Sequence, residues 1–196
     1  MQTEEAEYVP LLEELKVTAT RPLEPVSGAM RGTEEHFIMQ SADPKAINSV
    51  DDVKALINRM AEQKVITKAQ ANSVDPYGIY GFFAGELGSR MKCAKRLERE
   101  FSFYTKAKID EIYHNGIDGE ILLQGTMDCF FEEADGRIVL LDFKTDRAKS
   151  RDAAVCVSER YKVQIKYYKQ ALSEILGRSV DECYLYFLDC GEAIQM

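Results

Sequence analysis

Residues 125–144 run Gly125-Thr-Met-Asp128-Cys-Phe-Phe-Glu-Glu-Ala-Asp135-Gly136-Arg-Ile-Val-Leu-Leu-Asp142-Phe143-Lys144, and this stretch decides the fold. Asp135-Gly136 is a strong hairpin turn signal, because a tight turn between two strands needs residues that tolerate positive φ. The run on its C-terminal side, Ile138-Val-Leu-Leu141, is apolar on both faces, as in a central strand covered from two sides. Asp128 lies seven residues before Asp135, and Asp142 lies seven after it. Spacing that is symmetric about a tight turn sets the two carboxylates nearly opposite one another on an antiparallel pair.

Two facing carboxylates repel unless a cation sits between them. Mg²⁺ is suited to that place, since it takes oxygen ligands and often only one or two carboxylates. Lys144 lies two residues after Asp142, and residues two apart on a strand share a face. Its ammonium therefore reaches the same side, where it can hold an attacking water or stabilise charge on a phosphate. Phe143 points the other way into the core, and its backbone carbonyl is a candidate metal ligand. Metal activation of water plus neutralisation of a phosphate is a complete hydrolytic strategy. The plain alternative is a surface hairpin with acidic and basic residues in cross-strand pairs.

Outward from this pair, period-two and period-three-to-four patterns alternate. Val53, Leu56, Ile57 and Met60 predict a helix over 50–63, with a shorter helical piece over 67–74. Gly32-Thr33 opens another over 32–41, with Thr33 as its cap. Pro76 begins a predicted long helix reaching Arg99, striped by Tyr80, Phe83, Leu87, Met91 and Ala94. Alternation over 100–104 predicts a strand, and Asn115-Gly116 with Asp118-Gly119 a turn region. Strands follow over 120–133 and 137–144, then a polar loop over 145–157. A helix over 159–176 ends at Gly177, and 182–188 form a last strand. Helices, three strands, then helix and strand imply an α/β domain with a small mixed sheet flanked by helices.

Gln164 and Tyr168 are four apart on one face of that last helix, so an amide and a phenol share it. His36 follows the first cap and can bring an imidazole to the metal. Thr145, Arg147, Lys149 and Arg151, in the loop after the site, are candidate phosphate contacts. Phe130, Phe131 and Tyr167 can stack on bases in principle, but core packing is the expected role.

Residues 1–28 hold Pro10, Pro22 and Pro25. They read as an extended N-terminal arm or linker, with a short helical turn over 11–17, ahead of one domain at 29–196. The chain has 196 residues, 45% of them hydrophobic, enough for one good core. No apolar run approaches the roughly 20 residues that span a bilayer. The acidic N-terminus lacks the pattern of a secretory leader, so a cytoplasmic location is expected. Cys93, Cys129, Cys156, Cys183 and Cys190 are odd in number and show no C-x-x-C spacing, so buried or half-buried free thiols are expected. A net charge of −8 argues against nonspecific duplex binding by this chain alone. A partner, or another part of a longer chain, is expected to supply most of the grip on DNA.

Taken in order, Arg31-Gly-Thr33 with His36 and Gln40, Arg99-Glu100 with Phe103, Gly125-Thr-Met-Asp128, Asp142-Phe-Lys-Thr145-Asp146, and Gln164 with Tyr168 resemble one known family. They are similar to the RecB-family nuclease domains of the PD-(D/E)XK superfamily, those of AddAB-type helicase–nucleases above all. The resemblance runs from about Arg31 to Leu188. It implies a restriction-endonuclease-like fold with His36, Asp128, Asp142 and the Phe143 carbonyl as metal ligands. It further implies Lys144 as the catalytic lysine, with Gln164 and Tyr168 completing the catalytic set beside Asp128 and Asp142. The implied activity is Mg²⁺-dependent hydrolysis of single-stranded DNA, an exonuclease activity above all, with Mn²⁺ or Ca²⁺ able to take the same site. The implied setting is double-strand break repair and recombination, beside helicase domains of the same longer chain and a second, AddB-like subunit. Only Cys183 and Cys190 follow the core, so no iron–sulfur cluster is expected, and no Walker phosphate loop is present. The competing expectations are a catalytically silent DNA-binding or scaffolding module of the same fold, and an interaction domain with an acidic surface.

Overall fold

The computed structural model describes residues 16–18, 34–114 and 116–196. The expected arm over 1–28 falls outside these residues except for 16–18, and so do the Thr33 cap and Asn115. Residues 16–18 are a strand, β1 (Lys16–Thr18), not the last part of a helical turn. Pairing explains this: β1 lies antiparallel against Leu122–Gln124, and a ladder of backbone hydrogen bonds overrides weak local preference.

The remaining elements are α1 (Glu34–Ser41), α2 (Val50–Glu62), α3 (Lys68–Ser73), α4 (Pro76–Ala84), α5 (Glu86–Lys92), β2 (Arg96–Lys108), α6 (Ile109–Tyr113), β3 (Glu120–Glu132), β4 (Ile138–Lys144), α7 (Arg151–Ser158), α8 (Lys162–Leu176), β5 (Glu182–Phe187) and β6 (Glu192–Gln195). Among the described residues the strands form one mixed sheet of six, ordered β1-β3-β4-β5-β6, with β2 also on β3. The expected architecture, an α/β domain with a small mixed sheet flanked by helices, is what the chain forms.

β4 sits inside the sheet, antiparallel to β3 and parallel to β5, and all seven of its residues are buried. Its side chains alternate between two cores. Ile138 and Leu140 pack toward α8, whereas Val139, Leu141 and Phe143 pack toward the layer that holds Val53, Leu56, Phe82 and Phe83. The turn at Asp135-Gly136 forms as read, with Gly136 at φ 92°. Phe130, Phe131 and Tyr167 are core residues.

Three sequence expectations change. The single helix over 76–99 is two helices broken at Gly85, whose ψ of 178° is extended. Phe83, Leu87 and Met91 are buried as the stripe implied, so the period survives a break that glycine permits. Gly88 makes the tight fold-back possible, since a Cβ there would stand 2.2 Å from the Phe82 carbonyl oxygen. Arg96–Arg99 then belong to β2, drawn into the sheet by pairing with Cys129–Glu132. The loop over 145–157 contains α7, capped by Ser150 accepting from the Ala153 N–H and anchored by fully buried Ala154. Past Gly191 at φ 70° the chain turns back to add β6. The five cysteines are free thiols, but Cys93 and Cys156 are exposed rather than buried.

Candidate active site

β3 and β4 pair from Glu132↔Ile138 to Cys129↔Leu141 and then stop. The next residue on each strand is an aspartate, Asp128 or Asp142. Beyond the last pair the Phe143 N–H has no β3 carbonyl to meet, and it donates instead to Asp128 Oδ2 at 2.6 Å. An N–H and C=O of one extended residue leave the same edge of the strand, so the Phe143 carbonyl shares the edge that Asp128 faces.

A second irregularity lies opposite. The β2–β3 register holds from Arg99↔Cys129 to Phe101↔Met127, yet the intervening Glu100–Asp128 pair is skipped. Glu100 stands at φ 51°, a conformation that strains a residue with a Cβ. Side-chain facing reverses across that point. Leu97, Cys129 and Phe131 join the core under α2 and α4, whereas Phe101, Phe103 and Met127 join the core under α8. Asp128 therefore stands at the crossover of its strand and at the parting of β3 from β4.

α1 delivers His36 to this gap. Its Nε2 lies 2.6 Å from Asp128 Oδ2, and its ring meets Phe143 edge-on with centroids 6.1 Å apart. Arg99 fixes the end of α1, donating from Nη1 to the carbonyls of Gln40 at 2.6 Å and Ala42 at 2.5 Å. Burial alone would strip the imidazole of its proton. The charge and hydrogen bond of Asp128, with Asp142 adding and Lys144 opposing, outweigh that and carry the His36 pKa up to about 9. Glu100 feels the same field: burial and the Asp128 charge raise its carboxyl, and His36 pulls it back.

Asp142 and Lys144 share a face, as their spacing requires, and both are almost fully buried at 2% and 3% exposure. Lys144 Nζ lies 2.9 Å from Asp142 Oδ2. The approach falls outside hydrogen-bonding angles at that oxygen, so the contact is an ion pair held by charge. The ammonium also donates to Gln164 Oε1 at 3.1 Å. A lysine only donates, which fixes the amide orientation: Gln164 Nε2 then donates to the Tyr168 hydroxyl at 2.9 Å. Tyr168 donates in turn to the Thr126 carbonyl at 2.8 Å. The chain of contacts thus returns to β3 two residues before Asp128.

His36, Asp128, Asp142, Phe143, Lys144, Gln164 and Tyr168 accordingly converge from two strands of the sheet and two helices on opposite faces. The loop residues do not join them as a group. Arg147 and Lys149 are exposed, and Arg151 pairs with Glu192 at 2.8 Å. Thr145 lines a separate small acidic hollow with Glu35, Asp75 and Asp189. Sequence reasoning gave no role to Glu100 or to Tyr161, whose ring centroid lies 3.8 Å from Lys144 Nζ. The available signals were a charged residue breaking strand alternation and a tyrosine three residues before Gln164.

Among the described residues no three His, Cys, Asp or Glu side chains gather into a closed metal cage. That excludes the pattern of a structural zinc site but suits Mg²⁺, which keeps waters and substrate oxygens in its shell. Two neighbouring ligands of an octahedral Mg²⁺ stand about 3 Å apart, close to the separation of His36 Nε2 and Asp128 Oδ2. An imidazole, two carboxylates and a peptide carbonyl are a donor set that fits such an ion.

Comparison with known proteins agrees with this geometry. The PD-(D/E)XK nuclease superfamily matches residues 11–194. Two proteins from Clostridium botulinum strains Langeland and Loch Maree, both named as ATP-dependent helicase/nuclease subunits of type A, are 38% and 37% identical over 177 and 176 residues. Another of that name from Alkaliphilus oremlandii is 34% identical over 173 residues. Each match covers 87% of this chain, but the chain spans only 13–14% of the length of these relatives. With its split sheet and paired aspartates matched over nearly its whole length, the chain belongs to the PD-(D/E)XK nuclease superfamily.

Proposed function

We propose that this domain is a Mg²⁺-dependent deoxyribonuclease and forms the nuclease part of an AddAB-type helicase–nuclease. The observation that carries the reading is the meeting of Asp128 and Asp142 where β3 and β4 part, with Lys144 2.9 Å from one of them. His36, Asp128, Asp142 and the Phe143 carbonyl would hold the metal; Mn²⁺ and Ca²⁺ suit the same donors. The metal supplies Lewis-acid neutralisation of the phosphate and a more acidic bound water. Lys144 presents its ammonium to the attacking water and the scissile phosphate, where charge develops. Gln164 holds that ammonium, and Tyr168 holds Gln164 against the Thr126 carbonyl. Asp142 keeps Lys144 charged in a dry surrounding until the substrate phosphate shares it.

Thr145, Arg147 and Lys149 are the near phosphate contacts, with Arg151 released from Glu192 as a further one. A chain of net charge −8 grips DNA weakly, so helicase domains of the same polypeptide and a second, AddB-like subunit feed it single-stranded DNA. Exonucleolytic trimming of ends during double-strand break repair, in the cytoplasm, follows from that setting. Among the described residues no helix is long and apolar enough to cross a membrane.

The test is direct. The protein, at high concentration, is incubated with end-labelled single-stranded DNA and Mg²⁺, beside Asp142→Ala and Lys144→Met. Metal-dependent cleavage by the parent and its loss in both variants are expected. A parent that binds DNA and metal without cutting would favour the silent scaffolding module instead.

A further inference from the structure

We propose that Tyr161 is a positioning residue for Lys144 and that Asp146 locks Tyr161 in place. The proposal rests on the nuclease reading, in which Lys144 acts at the scissile phosphate. A lysine ammonium ends a flexible four-carbon stem, so a hydrogen bond and an ion pair leave it room to swing. The Tyr161 ring stands against it, with Nζ 3.8 Å from the centroid. Lys144 is 3% exposed and Tyr161 7%, and a cation over an aromatic face is held most firmly when both are out of water.

The ring is itself tethered. Tyr161 donates its hydroxyl to Asp146 Oδ2 at 2.7 Å, and Arg160 Nη2 lies 3.5 Å from the other oxygen of that carboxylate. Asp146 follows Lys144 by two residues, so the ring is fastened to the segment whose lysine it confines. Residues Glu159–Tyr161 form a 3-10 turn that leads into α8. Tyr161, Gln164 and Tyr168 then fall at i, i+3 and i+7, one face of the helix. One helical face therefore supplies the ring against the ammonium, the amide that accepts from it, and the phenol that orients the amide. A leucine at 161 would fill the volume but offer the ammonium no π face.

The experiment compares the parent chain with Tyr161→Phe, Tyr161→Leu and Asp146→Asn. In the metal-free protein with ¹³C-labelled lysine, the ε-methylene signal of Lys144, identified by its loss in Lys144→Met, is expected far upfield from ring current. Tyr161→Phe keeps that shift, Asp146→Asn reduces it, and Tyr161→Leu abolishes it. On labelled single-stranded DNA with Mg²⁺, Tyr161→Leu lowers kcat about ten- to thirtyfold, the equivalent of a desolvated cation–π contact, and leaves KM nearly unchanged. Tyr161→Phe retains most of the rate, and Tyr161→Leu costs nothing more in a Lys144→Met background. If Tyr161→Leu does not fold, Tyr161→Met replaces it, because methionine fills irregular gaps. A parent Lys144 signal at the position of ordinary lysines, or a folded Tyr161→Leu with full kcat, overturns the proposal. Absence of cleavage by the parent would count against the nuclease reading alone, since the ring-current arm still decides where Lys144 is held.

Discussion

Lys144→Met tests the energetics of the site most sharply. The ammonium and the Asp142 carboxylate lie 2.9 Å apart at 3% and 2% exposure. Removing the lysine leaves a buried carboxylate facing an apolar side chain, a defect that costs about 3–5 kcal/mol. For a domain of this size each kcal/mol lowers Tm by about 2–4 °C, so Lys144→Met falls by about 6–20 °C. Asp142→Leu, which strands the ammonium, is expected to fall by a similar amount. The double variant Asp142→Leu/Lys144→Met removes both charges and regains most of the loss. It does not regain all of it, because Gln164 Oε1 loses the ammonium donor, at about 1–3 kcal/mol. Melting and urea unfolding in EDTA give the four stabilities of the cycle, and the cleavage assay gives the four activities. Activity is lost in all three variants, while stability returns only in the double. A double variant no more stable than Lys144→Met, or a Lys144→Met with unchanged Tm, would refute the buried-pair reasoning.

Arg99→Ala frees the Gln40 and Ala42 carbonyls at the end of α1, the last-turn acceptors that no helical N–H reaches. A loss of about 1.5–3 kcal/mol is expected in urea unfolding, with faster amide exchange across 36–42 and weaker Mg²⁺ binding by calorimetry; unchanged exchange there would show that Arg99 does not anchor His36. Glu182→Gln tests the network that ties β5 to α5 and the hairpin. The Arg90 guanidinium, against the cost of burial and with help from Tyr184 and Arg137, holds the Glu182 carboxyl below its usual 4.5. A depressed carboxylate pKa adds stability that is complete above the ordinary value and fades as pH falls through the lowered one. The parent is therefore the more stable at pH 7, and the difference closes below about pH 4.5; a gap that is constant with pH would remove the ion pair as its cause.

The central hairpin and the shared face of Asp142 and Lys144 were legible in the chain because strand geometry is local. A tight turn fixes register, and alternation fixes facing. The same holds for Gln164 and Tyr168, four residues apart on one helix. The break at Gly85, the strand β6 and the helix α7 were not legible, because each is decided by what the segment packs against. A periodic stripe reads the same through two short helices as through one long one.

Sequence determined which residues carry charge and which of them share a face. Tertiary structure decided where those faces meet. That β3 leaves β4 after Cys129↔Leu141, that its facing reverses at Asp128 opposite Glu100, and that α1 carries His36 to within 2.6 Å of that carboxylate are consequences of packing two helical layers on one twisted sheet. Such contacts join residues up to 92 positions apart. No local propensity encodes them, because their free energy exists only once the layers have closed on each other.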